Sequence, residues 1–330
     1  MSRFTRASAV ATSAVAALAL AACSSSGGKE TKDDEGGGSG GNAGTSDMTV
    51  ALITHSAPGD TFWDFVRSGA EDAAKKDNVT LEYTSDPDGA KQANLVTQAV
   101  DKKVDGIAVT LAKPEAMKQA VQKATNAGIP VVALNAGGDA WKDMGVLSYF
   151  GQDEIVAGEA AGKKLKEEGS KKVLCVVHEQ GHVGLEARCD GVKKTGPEME
   201  KIYVKGTDMP NVQSSITSKL QEDSDIDTVM MLGAPFAMTA LKSVEESGSD
   251  AQVATFDSNK ELIKEVKEGN ILFSVDQQPY LQGYLAIDSL WANTQRGLVY
   301  GGGEQVLTGP SFVDESNVSE IEKFAEEGTR

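Results

Sequence analysis

The chain is predicted to be an α/β protein of two doubly wound parallel-sheet lobes, on three observations. From Met48 onward, short apolar runs rich in Val, Ile and Leu alternate with amphipathic stretches. The runs are nearly continuous rather than alternating, as strands buried on both faces of a parallel sheet require. The series also appears twice, from Thr49 to about Phe150 and from Lys171 to about Val275, which is more strand than one such sheet comfortably uses.

In order, the first set has strand runs at Thr49–Thr54, Gly106–Thr110 and Pro130–Asn135. Between them Trp63–Lys76, Lys91–Lys102 and Pro114–Ala127 carry apolar residues at helical spacing, with charge on the opposite face. Gly128 followed by Pro130 is a stop signal for the last of these. The second set has strand runs at Lys172–Val177, Thr228–Leu232, Gln252–Asp257 and Ile271–Val275. A long helix is expected to start in Gly283–Ala292, and Gln305–Val313 reads as a further strand. Strands alternating with helices make a parallel sheet. In open α/β sheets the ligand site lies beyond the carboxyl ends of the strands. Two such lobes turn that edge into an interdomain cleft.

The N-terminus carries Arg3 and Arg6, an uncharged run from Ala7 to Ala22, and Leu20-Ala21-Ala22-Cys23 at its end. This is the layout of a secretory signal peptide. The run is shorter than the ~20 apolar residues that span a bilayer and is rich in Ala and Ser, so a membrane helix is disfavoured. A cysteine directly after the small residues resembles the lipobox of bacterial lipoproteins. That resemblance implies cleavage after residue 22 and a diacylglyceryl group on Cys23; an ordinary signal peptide with an incidental cysteine is the alternative. Residues 23–47 are Gly, Ser and charge with no apolar cluster, the composition of a flexible tether.

The net charge is −17, and −19 once Arg3 and Arg6 are removed with the signal segment. So acidic a chain is a poor partner for nucleic acid or anionic lipid headgroups. Membrane attachment would therefore depend on the lipid. Besides Cys23, only Cys175 and Cys189 are present. In an exported protein the pair is either a disulfide or two buried thiols.

The residues just after each strand are the candidates for the site. Phe62, Trp63 and Phe65 cluster after the first strand, although aromatics are only 5% of the chain. Their faces suit the C–H faces of a sugar or polyol, and packing of a helix start is the alternative. Asp60, Thr110, Asn135, Gln152, Glu179, Asp257 and Gln277 follow strands, and Arg188 lies in the helix after Glu179. Such groups pair with neighbouring hydroxyls. Asp60 and Asp257 each precede a helix, so capping is their other reading.

His178-Glu179-Gln180-Gly181-His182 matches the H-E-x-x-H zinc pattern, which needs both histidines on one helical face. Here the motif directly follows a strand, Gly181 weakens a helix, and His55 belongs to the other lobe, so no metal is expected. No phosphate loop, dinucleotide fingerprint or nucleophile elbow joins a strand to a helix, and neither an enzyme nor a cofactor is expected.

Asp60-Thr-Phe62-Trp63, Gly128-Ile-Pro-Val-Val-Ala-Leu-Asn135, Phe150-Gly-Gln-Asp-Glu154 and Gly184-Leu-Glu-Ala-Arg188-Cys-Asp-Gly191 carry a family resemblance, with Thr255-Phe-Asp257 and Ile271-Leu-Phe-Ser-Val-Asp-Gln-Gln-Pro279. From about Met48 to Val313 the chain resembles the periplasmic sugar-binding proteins of ribose/galactose type, the solute receptors of carbohydrate ABC importers. The resemblance implies the type I periplasmic binding protein fold, with a three-stranded hinge near Gln152–Asp153, Gln277–Gln278 and Leu307–Gly309. The N-terminal lobe would comprise residues 48–152 plus 279–307, and the C-terminal lobe 153–278 plus 308–330. Phe62 and Trp63 would wall the ligand and Arg188 and Asp257 bind its hydroxyls. Asn135, Thr110 and Gln152 would act from the first lobe and hinge side, Gln277 as a hinge-proximal amide, and Glu179 as a pocket wall. Asn135-Ala136 stands where ribose receptors carry Asp-Arg, and Gly233-Ala234 replaces an Asn-Asp pair. These departures move the expected ligand from ribose toward another pentose, a pentitol or tetritol, or an inositol. The implied protein is a monomeric, lipid-anchored receptor on the outer face of the cell membrane. It would deliver a neutral carbohydrate or polyol to an ABC permease; a sensory receptor of the same fold is the alternative.

Overall fold

The computed structural model of the chain describes residues 47–330. The signal segment, Cys23 and all but the last residue of the expected tether lie outside the described residues. Among the described residues no helix is long and apolar enough to cross a membrane.

The first lobe is built from β1 (Thr49–Thr54), α1 (Phe62–Asp77), β2 (Thr80–Ser85), α2 (Gly89–Lys102), β3 (Gly106–Thr110), α3 (Pro114–Asn126), β4 (Val131–Leu134) and β5 (Tyr149–Gly151). The chain then crosses into α4 (Glu154–Glu167), β6 (Lys172–Val177), α5 (Val183–Thr195), β7 (Glu198–Tyr203), α6 (Met209–Glu222), β8 (Thr228–Met231), α7 (Ala234–Ser247), β9 (Gln252–Phe256), α8 (Lys260–Lys267) and β10 (Phe273–Asp276). It returns through α9 (Pro279–Arg296) and β11 (Gln305–Leu307), and crosses once more into β12 (Ser311–Asp314) and α10 (Val318–Glu326). The two six-stranded sheets have the orders β11-β5-β4-β3-β1-β2 and β12-β10-β9-β8-β6-β7. All their pairings are parallel except β10 with β12.

Alternation along each strand explains why helices cover both faces. In β1, Ala51 and Ile53 join a core with residues of α2 and α3, while Val50 and Leu52 join one with α1 and α9. In β6, Leu174 and Val176 point to one core and Val173, Cys175 and Val177 to the other. Successive strand side chains face opposite ways, so a strand apolar at every position needs two apolar layers. Full burial of each Leu, Ile or Val stabilises the fold by about 1.5–3 kcal/mol.

The periodicity did not reveal β2 and β7, with sequences TLEYTS and EMEKIY. Both are edge strands and mostly half-exposed, so their sequences carry polar residues where the inner strands are apolar. The single strand expected over Gln305–Val313 is two, β11 and β12, in different sheets. The turn between them is one of three chain crossings between the lobes, the others being β5 to α4 and β10 to α9.

Close helix packing within the second lobe positions its key cation. Gly158 on α4 and Gly191 on α5 lie at the contact between those helices. A Cβ on Gly158 would sit 2.2 Å from the Arg188 carbonyl oxygen, and one on Gly191 2.4 Å from that of Ile155. Only residues without a side chain allow this approach. It brings the start of α4 beside Arg188 on α5.

Candidate ligand-binding cleft

The carboxyl ends of both sheets open onto a cavity of about 970 Å³ between the lobes. Asp60, Phe62, Trp63, Asn135, Glu179, Arg188, Asp257 and Gln277 all line it. Thr110 and Gln152, also expected at the site, do not line it, although both are fully buried.

Arg188 is the electrostatic centre. Its Nε and Nη2 donate to the two carboxylate oxygens of Glu154 at 2.6 and 3.1 Å, and its Nη1 donates to the Leu232 carbonyl at 3.2 Å. Nη1 also lies 3.7 Å from Asp257 Oδ2, and the guanidinium sits 4.6 Å from the centre of the Phe256 ring. Burial alone would lower the Arg188 pKa, but the Glu154 and Asp257 carboxylates raise it further above its ordinary value. Glu154, the first residue of α4, does not line the cavity but holds Arg188 from behind, a supporting role that position after a strand does not reveal. Gln152 explains part of its placement, because its Nε2 donates to Glu154 Oε2 at 2.9 Å. An acid in the first turn of a helix ordinarily reads as a partner of the helix dipole.

Asp257 is pushed up to about 7 by burial, against the pull of Arg188 and of the Gln277 amide. It does not cap the helix that follows; Asn259 does, its Oδ1 accepting from the Leu262 N–H at 2.8 Å. Asp257 and Asn135 both adopt left-handed backbone, with φ of 63° and 66°, directly after β9 and β4. Asn and Asp tolerate this region better than other side-chain-bearing residues, and such strained positions cluster at binding sites. Gln277 links the two: its Nε2 donates to Asp257 Oδ1 at 2.6 Å, and its Oε1 accepts from Asn135 Nδ2 at 3.2 Å. Gln282 on α9 donates to the same Oε1 at 2.9 Å, which fixes the amide's orientation.

The opposite wall is aromatic. Phe62 and Trp63 meet edge to face with ring centres 5.1 Å apart, and Trp63 meets His55 likewise at 4.7 Å. Asp60 accepts from the Phe62 N–H at 3.1 Å, so it serves the helix start while facing the cavity. Burial raises its pKa to about 6, although the Phe62 and Trp63 hydrogen bonds lower it.

All three histidines of the chain line the cavity, which the sequence reading missed because it weighed two of them only as a metal motif. His178 stacks on Phe236 with centres 3.9 Å apart. His55, assigned to the other lobe and set aside for that reason, reaches across the cleft, its Nε2 3.0 Å from His182 Nε2. Thr110 stands behind it, with Oγ1 2.7 Å from His55 Nδ1 and accepting from the His55 N–H at 3.0 Å. Burial holds His55 and His178 down to about 3, with nearby Lys113 and Arg188 adding to it at His55 and Arg188 at His178; burial also holds His182 well below the usual imidazole range. The histidines are therefore neutral at pH 7.

His55, Glu179 and His182 place donor atoms within 4.8 Å of one another, which invites a metal test. His182 Nδ1 accepts from the Gly184 and Leu185 N–H groups at 3.1 and 3.3 Å, capping α5. In the neutral ring the proton must then be on Nε2, which donates to His55 Nε2. The nitrogen facing the cluster is a donor and not a metal ligand, and Glu179 is already 2.8 Å from Lys113 Nζ. The donor set does not fit a resident metal.

Cys175 on β6 and Cys189 on α5 form a disulfide, their Cα atoms 6.0 Å apart. It ties the helix carrying Arg188 to the sheet.

A family model described as the periplasmic binding protein domain matches residues 50–297. A solved structure of a carbohydrate transporter from Acidothermus cellulolyticus, in complex with myo-inositol, is 53% identical, with a TM-score of 0.85, covering 86% of this chain and 100% of that one. Ribose import binding protein RbsB of Bacillus subtilis is 25% identical over 254 residues, 75% of this chain and 82% of its own. The xylose/arabinose-binding protein XylF of Sulfolobus acidocaldarius is 26% identical over 273 residues, 76% of this chain and 67% of its own. With its cleft between two doubly wound lobes, the chain belongs to the periplasmic binding protein family, among the sugar-binding proteins of ABC transporters.

Proposed function

We propose that this chain is a monomeric, lipid-anchored receptor that captures a neutral cyclic polyol of the inositol class and delivers it to an ABC permease. The observation that carries the polyol is the cleft's pairing of charges. The two cations on the cavity's less exposed wall are paired, Arg188 with Glu154 and Asp257 and Lys113 with Glu179, which leaves only the exposed Lys205 to meet a phosphate or carboxylate. Asp257, Asn135, Gln277 and Arg188 instead present donors and acceptors suited to hydroxyls on adjacent carbons. Trp63 and Phe62 offer aromatic surface to ring C–H bonds. The 53% identical transporter holding myo-inositol supports the same class. Leu20-Ala21-Ala22-Cys23 supports attachment through two acyl chains, which anchor stably where one is marginal.

Capture would proceed by closure of the lobes about the three crossings, a shift of population toward the closed form. A thermal-shift screen of pentoses, hexoses, sugar alcohols and inositols tests the ligand class, because a ligand bound only to the native state raises Tm. An inositol is expected to give the largest rise. The largest rise from a pentose or an acyclic alcohol would refute the cyclic assignment. Mass spectrometry of the membrane-extracted protein is expected to place a diacylglyceryl group on Cys23, and an unmodified N-terminus beyond residue 23 would refute the anchor.

A further inference from the structure

The loop from His178 to Val183 retains the spacing of a metal motif, yet its side chains are used for something else. Three contacts join it to the first lobe. The Val183 N–H donates to the Ala112 carbonyl at 3.1 Å, Lys113 Nζ pairs with Glu179 Oε1 at 2.8 Å, and His182 Nε2 donates to His55 Nε2 at 3.0 Å. Each partner is braced on its own side. Lys113 also donates to the Pro87 carbonyl at 2.9 Å, His55 is held by Thr110, and His182 by the amides that open α5. All three contacts run directly from protein group to protein group across the cleft.

Their position gives them leverage. The lobes are joined at one edge of each sheet, through β5 and β11 in the first and β10 and β12 in the second. His55 follows β1, three strands from β5, and the loop follows β6, three strands from β10. At sheet spacing that is about 14 Å from the joining strands in each lobe. Contacts placed so far from a hinge resist its opening with a long lever arm.

We propose that the His178–Val183 loop is a latch: through Glu179 and His182 it holds the lobes together without ligand, and so sets part of the receptor's affinity. A receptor whose binding-competent form is only partly populated binds with its intrinsic Kd divided by that fraction. Weakening the latch therefore raises Kd by lowering that fraction; because Glu179 and His182 also line the cavity, the ligand-free distance and not Kd isolates the latch. This goes beyond the polyol reading and depends on it only in the affinity measurement.

The test is the distance between fluorophores placed one on each lobe, read first in ligand-free protein. The variants are Lys113→Glu, Glu179→Lys, the double exchange, and His182→Asn. Asn can keep the cap on α5 through its amide oxygen while losing the reach to His55. Each single variant is expected to shift the ligand-free population toward the open distance, and the double exchange to shift it back. With myo-inositol as probe, His182→Asn is expected to raise Kd about 3- to 10-fold, the worth of a hydrogen bond, mainly through faster dissociation. Identical ligand-free distances in wild type and single variants would overturn the latch, as would a double exchange as open as either single. If myo-inositol binds none of the proteins, the polyol reading fails, and the ligand-free distances still decide the latch.

Discussion

Arg188→Ala is expected to abolish measurable ligand binding, a loss of at least about 100-fold, and to destabilise the fold by about 3–5 kcal/mol. The size follows from what the guanidinium leaves behind. Its side chain is 4% exposed and that of Glu154 9%, so truncation strands a buried carboxylate that had two charge-assisted hydrogen bonds. Asp257 loses its neighbouring cation at the same time, and the Leu232 carbonyl loses a donor. Arg188→Lys keeps the charge but not the two-pronged geometry, so it is expected to recover part of the stability and little of the binding. Calorimetric titration and urea unfolding check both halves. A variant that binds as tightly as wild type would remove Arg188 from the site. One as stable as wild type would show that Glu154 is not dependent on it.

The second large effect is expected from Cys175→Ala with Cys189→Ala. The disulfide closes a loop of sequence separation 14 and joins β6 to the helix that carries Arg188. Loop-closure entropy for a loop of about this length amounts to about 3 kcal/mol. The double variant is expected to lose about that much stability and to lower Tm by several degrees. Both residues are fully buried, so the oxidised wild type should resist mild reductant while folded. Unfolding in urea with and without reductant measures the contribution. Equal stability of variant and oxidised wild type would contradict it.

Much of the fold was legible because a parallel sheet covered on both faces demands strands apolar at nearly every position, and TVALIT and KVLCVV meet that demand. The edge strands TLEYTS and EMEKIY escape the same rule because one side of each has no neighbour. Local pattern merges β11 and β12 into one strand over Gln305–Val313 because they lie only three residues apart, although the family resemblance places a crossing near Leu307–Gly309. In the cleft, reading the residues after each strand led to Asn135, Asp257 and Gln277, which topology brings into one hydrogen-bonded chain. It also led to Thr110 and Gln152, whose polar atoms serve His55 and Glu154 behind the wall. Strand-end position is shared by groups that touch the cavity and groups that support them, and periodicity cannot separate the two. Glu154 and the histidines needed tertiary information. The pairing of His55 with His182 spans 127 residues and two lobes, and nothing local announces it.

The most direct measurement of the central claim is calorimetric titration of the mature protein with myo-inositol, D-ribose and a myo-inositol monophosphate under identical conditions. The account predicts one site per chain for myo-inositol, ribose weaker by about 100-fold or more, and no heat from the phosphate, because Arg188 and Lys113 are already paired. Ribose binding as tightly as myo-inositol, or the phosphate binding at all tightly, would contradict it.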